Sequence, residues 1–249
     1  VRPASAVAEA ADGDLEPTLT WLADDELLTG HVLTSVAGWG PELEINVAMS
    51  SMGQDEIGHA RRLYGLFADA GQAERLVYER PAAAFRAGLL ARTYPREWEL
   101  LLARQYLFET AADARAAVLA RATAAGVAAL MAEMAHEERY HLDFWRTWLA
   151  TTSRRSDAAR ARVQRALDRM WPLAAASFLP ERPGAAERAL GLPEGALSRA
   201  RREWASAERE ACQRLGLSLC DGPPEAGADQ LGAMLDEMRD VYQTAPGSW

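Results

Sequence analysis

Lysine is missing altogether: all 27 basic residues of this 249-residue chain are arginine. Together with heavy alanine use, that points to nucleotide composition more than to function. Cysteine is scarce too. Cys212 and Cys220 are in no C-x-x-C spacing and cannot build a disulfide framework or a thiolate cage. They read as buried packing residues of a chain in a reducing cytoplasm. No apolar run approaches the roughly 20 residues of a membrane helix. The opening "VRPASAVAEAADGDLEP" lacks the basic, apolar and cleavage-site order of a signal peptide. A flexible arm is expected over residues 1–15. The formal charge of −9 argues against nucleic acid or anionic lipid as the main partner.

No stretch sustains the alternation of a β-strand, and the apolar period is helical nearly throughout. The pattern predicts a first helix from Pro17 to about Ala37, a break at "GWGP", and a second from Pro41 to about Ala70. A connection over 72–94, with a short helix near Glu74–Tyr78, leads to a third helix from about Pro95 to Thr123. A fourth follows from Val127 to about Ala150, and a fifth from Asp157 to about Phe178. "LPERPG" reads as a loop, and further helices are expected near 193–215 and 226–244. Two helical hairpins joined by a long crossover make an all-α, ferritin-like four-helix bundle. The core would span about 17–150, with C-terminal helices over about 157–244 packed against it. No linker announces a second domain, so 16–249 is read as one.

Residues 54–59 read "QDEIGH" and residues 136–141 read "HEERYH". Each holds Glu-x-x-His: Glu56 with His59, and Glu138 with His141. Residues i and i+3 share a helix face, so each pair can address one centre. One such motif is weak in a glutamate-rich chain. A dinuclear carboxylate site needs one further Glu from each of the other two helices, and Glu26 and Glu109 supply them. Glu26 lies roughly 20 Å before the "GWGP" turn and Glu56 roughly 24 Å beyond it, so the antiparallel pair comes level. The same count about the "AAG" turn sets Glu109 level with Glu138. Six ionisable groups inside a bundle are heavily penalised unless cations compensate them. Four carboxylates and two imidazoles suit iron or manganese; structural zinc favours thiolates. Two Fe ions are expected, with Mn possible. Asp55 and Glu137 could steady the ligand histidines through their second ring nitrogens, or be plain solvent-facing acids.

The remaining candidates read as structure. His31 lies off the Glu26 face, and His136 is a spare. Tyr106, one turn before Glu109, is taken as a core tyrosine. Trp145 and Trp148 suit a core or subunit interface better than an electron path. "TTSRRSDAARAR" reads as a solvated basic face.

"GQDEIGHARRLYGLFADAG" resembles the metal-binding helix of the catalytic A subunit of bacterial phenylacetyl-CoA monooxygenase, the ring 1,2-epoxidase. "LADDELLTG…GWGPELEINVAM" and the ending "LGAMLDEMRDVYQTAPGSW" resemble the C subunit more. The likeness covers nearly the whole chain after the arm. It implies a di-iron oxygenase component of aromatic acid degradation, acting on phenylacetyl-CoA or a related aryl-CoA thioester. It also implies an A-type partner, a homo- or hetero-oligomer, and electrons from a separate flavin/iron–sulfur reductase. In C subunits the metal ligands are typically eroded and the role structural, whereas here all six ligands stand. The alternative is therefore a non-catalytic subunit that supports the catalytic one. A ferroxidase or storage cage fits the bundle but not the extra C-terminal helices.

Overall fold

The computed structural model describes residues 15–244; the arm expected at the N-terminus lies, up to residue 14, outside them. Among the described residues there is no strand, and nine α-helices account for most of the chain. They fall into two compact units, one of residues 15–87, 91–94 and 227–244, the other of residues 88–90 and 95–226. None of these helices is long and apolar enough to cross a membrane.

The first unit is built on the hairpin of α1 (Leu15–Ser35) and α2 (Leu43–Tyr64), with α3 (Ala70–Tyr78), a 3-10 turn at Ala82–Ala84 and α9 (Leu231–Thr244). Helix α1 is buried almost all round, from Leu15 to Leu33, as expected of a central bundle helix. Helix α2 is amphipathic and follows its dipole, with Glu44 in the first turn and Arg61 and Arg62 in the last. The two helices interlock through Gly30 and Gly53. A Cβ on Gly30 would stand 2.8 Å from the Gly53 carbonyl oxygen and 2.8 Å from Ile57, and one on Gly53 would stand 2.8 Å from Thr34. Only glycine permits this close approach. The crossing lies one turn from both Glu26 and Glu56, which sets those carboxylates side by side.

Helix α2 stops at Tyr64, six residues before the end its periodicity suggests. Gly65 closes it, and Asp69 starts a new helix with a capping box, in which Asp69 accepts from the Gln72 N–H and Gln72 from that of Asp69. Buried Asp24 ties the connection to the hairpin. It accepts hydrogen bonds from the Tyr64 hydroxyl, from Arg80 at 2.5 Å and from the Arg86 backbone N–H at 2.6 Å. Arg80 also lies over the Phe85 ring at 3.8 Å. Helix α9 is clasped by Arg239, which donates to the Tyr78 and Arg80 carbonyls, and by Tyr242 stacked on Tyr78.

The second unit centres on the hairpin of α4 (Trp98–Leu119) and α5 (Val127–Arg155), with α6 (Asp157–Ser177) packed on both. Helices α7 (Pro183–Leu190) and α8 (Ala196–Arg214) complete it, α8 against α4. Helix α4 begins three residues after Pro95, and α5 runs five residues beyond Ala150, with Arg154 and Arg155 closing its last turn. Ser156 then caps α6. The last two residues of "LPERPG" already belong to α7, where Pro183 stands in the first turn and Gly191, at φ +68°, closes the helix. Buried Glu187 accepts from the Gly195 and Leu197 N–H groups and so caps the start of α8.

Candidate metal centre

Each hairpin gathers one trio. In the first unit Glu26 projects from α1, and Glu56 and His59 from the buried face of α2; Glu56 and His59 are wholly buried and Glu26 is 6% exposed. His59 Nδ1 lies 3.6 Å from Glu56 Oε2 and 3.9 Å from Glu26 Oε2. One ligand atom from each of the three falls within 4.8 Å of the others, a little wider than the spread around a bound ion with ligands near 2.1 Å. In the second unit Glu109 on α4 and Glu138 and His141 on α5 also lie within 4.8 Å of one another. Glu109 and His141 are buried; Glu138 is half-buried.

The electrostatics of the first trio fit a cation. Burial pushes the Glu26 carboxyl up to about 8, helped by the negative charge of Glu56 and opposed by His59. Its Oε2 is buried and receives no hydrogen bond. Two carboxylates and an imidazole crowded out of water are a costly arrangement with no counter-charge and a natural one around a metal ion. The folded metal-free chain thus holds a proton on Glu26 that the unfolded chain releases near 4.5. This contribution to stability is complete below about 4.5 and is lost as pH rises through about 8. Metal-free protein should therefore melt at progressively lower temperature between pH 5 and 8. Saturating Mn(II) should raise the melting temperature most at the alkaline end, where no proton competes. Thermal unfolding with and without chelator checks both slopes.

Asp55 and Glu137 are half-buried on the helices that carry the two histidines. His31 is half-buried, 3.8 Å from Glu237 and tilted against Tyr94, and burial lowers its pKa; it is a packing residue. His136 is exposed. Tyr106 is buried and donates its hydroxyl to Glu208 of α8, in the core role expected of it. Trp145 is fully buried among Trp98 and Phe144, with Trp148 half-buried beside them. One cysteine departs from expectation: Cys212 is buried, but Cys220 is exposed because it follows α8 in an irregular segment. Sequence reasoning also passed over Asp24, whose signal was its place as the first of three consecutive acids inside the apolar "WLADDELL" stripe.

The family model for "Phenylacetic acid catabolic protein" matches residues 1–249. The chain is also similar to the C subunit of the 1,2-phenylacetyl-CoA epoxidase of Escherichia coli (strain K12). The two are 27% identical over 240 residues, which cover 91% of this chain and 95% of that protein. With the match running end to end, the chain belongs to the phenylacetic acid catabolic protein family.

Proposed function

We propose that this protein is a di-iron oxygenase component of phenylacetate degradation, in which Glu26, Glu56, His59, Glu109, Glu138 and His141 together hold two iron ions. The observation that carries the reading is the repetition of one device: each hairpin sets a buried Glu beside a Glu-x-x-His pair whose histidine is fully buried. The family supplies the pathway, and the E. coli relative, named for phenylacetyl-CoA, supplies the substrate class. The two units would then act as one ferritin-like domain, with electrons delivered by a separate reductase and an A-type subunit as partner.

When bound, a di-iron centre supplies the redox chemistry that activates O2 for oxygen insertion into an aromatic ring. The chain's own residues prepare for it. Four carboxylates balance the charge of two ferrous ions, so the buried site is close to neutral once Glu26 has given up its proton. The imidazoles must bind in their neutral form, and Asp55 and Glu137 would accept from the second ring nitrogens of the ligand histidines. Burial of His59, Glu56 and Glu109 keeps bulk water from the ligands.

Anaerobic reconstitution with ferrous iron tests the reading. Two iron ions per chain and an absorption band that grows on exposure to O2 are expected. Well under one iron per chain with no such band would sink it. A non-catalytic supporting role is the second reading, favoured by the similarity to a C subunit. It predicts a metal-silent chain, or one whose metal serves stability alone.

A further inference from the structure

Two buried N–H donors of the second unit have no acceptor: the side-chain amide of Gln105 on α4 and the indole of Trp145 on α5. Both residues are 0% exposed. A donor shut away from water without a partner is costly, and folded chains keep few of them. The Gln105 amide cannot be turned round to escape the cost. Its Oε1 accepts from the guanidinium of wholly buried Arg104. A guanidinium can only donate, so Nε2 is the atom left over.

The hairpin brings the two donors to one level. Glu109 on α4 meets Glu138 and His141 on α5. Gln105 lies one turn before Glu109, and Trp145 one turn after His141. In an antiparallel pair both therefore stand on the same side of that trio. Side chains tilt toward the N-terminus of their own helix. Gln105 thus leans away from Glu109 toward the level of Trp145, and Trp145 leans back toward the level of Gln105. Around Trp145 stands an aromatic wall, with ring centroids 5.0 Å away at Phe144 and 6.3 Å at Trp98. Trp148 lies 6.2 Å beyond Trp98. Phe144, Trp98 and Trp148 are half-buried, so the wall reaches from the sealed indole to the surface.

We infer that Gln105 Nε2 and Trp145 Nε1 are a paired donor for the carbonyl oxygen of an aromatic acyl thioester. Two N–H groups match the two lone pairs of a carbonyl oxygen and replace the hydrogen bonds it gives up on leaving water. The ring then lies toward the trio, and the thioester chain leaves past Trp98 and Trp148. The choice of an aryl-CoA thioester rests on the function proposed above; the donor pair itself does not depend on a metal.

Anaerobic calorimetric titration of the full chain, before and after ferrous iron is offered, tests this. The probes are phenylacetyl-CoA and its thioether analogue, which lacks the carbonyl oxygen. The thioester should bind about tenfold or more tightly than the thioether. Gln105→Glu keeps an acceptor for Arg104 but loses the donor, and Trp145→Phe removes the indole N–H. Each should weaken the thioester about tenfold and leave the thioether unchanged. The infrared stretch of an isotopically labelled thioester carbonyl should fall on binding and rise again in either variant, which a packing defect could not produce. Equal affinity for the two ligands, binding of neither, an unshifted carbonyl stretch, or variants that weaken both ligands alike would overturn the inference. Iron content keeps the two readings apart. A chain that discriminates but takes up no iron loses the oxygenase reading and keeps the donor pair. One that holds iron but ignores the carbonyl loses the donor pair alone.

Discussion

Glu56→Ala should strip the protein of the iron proposed above and lower the turnover of the assembled complex by about 100-fold or more, as expected when a ligand rather than its support is removed. Glu56 is the most buried carboxylate of its trio, 3.6 Å from His59 and close enough to Glu26 to raise that residue's affinity for a proton. Alanine removes a ligand and leaves Glu26 and His59 too few to hold an ion. The same change should relieve the metal-free fold. With the neighbouring negative charge gone, Glu26 titrates closer to its ordinary range, and the fall in stability toward pH 8 becomes shallower. The expected pair of results is lost metal with an unharmed or firmer metal-free protein. Iron content, thermal unfolding at two pH values and turnover in the complex measure the three parts. Unchanged turnover with assembly intact would assign the chain a supporting role.

Asp24→Ala should be the most damaging single change to the fold, at about 3–5 kcal/mol, the usual cost of leaving one member of a buried ion pair alone. Asp24 has no exposed surface and is the common acceptor of Tyr64, Arg80 and the Arg86 backbone. Its removal strands the Arg80 guanidinium, only 9% exposed, and the Tyr64 hydroxyl, which is held in its protonated form by burial and then by the Asp24 charge. For a chain of this size the melting temperature should fall by about 10 °C. Asp24→Asn keeps the shape and part of the hydrogen bonding, so it should cost visibly less. Equal damage from both variants would place the effect in the charge; no damage from either would remove Asp24 from the structural framework.

The hairpins were legible because their information is local. The period of 3.6, the "GWGP" and "AAG" punctuation and the counted distance from each turn fix which glutamate meets which motif. The ends of the elements were less legible because several signals competed. Periodicity runs on past Tyr64, while the Asp69–Gln72 capping box, equally present in the sequence, resets the helix. Helix α7 is only eight residues long, too short for its period to stand out, though Pro183 and Gly191 mark its two ends. The Asp24 cluster joins residues 40 to 62 positions apart through a connection with little periodicity. No pattern in one stretch of sequence could have announced it. Cys220 was misplaced for a different reason: cysteine is usually buried, and that general tendency fails in the irregular segment after α8.

The contrast between the two thiols gives the chain a chemical handle. Cys212 is sealed in the core, its thiol pushed up to about 12 first by burial and then by the Glu208 charge, so little of it is thiolate at neutral pH. Cys220 is exposed and within reach of a maleimide. Without any mutagenesis, a single dye or spin label can therefore be attached at one known position after α8, leaving every glutamate and histidine of the two trios untouched.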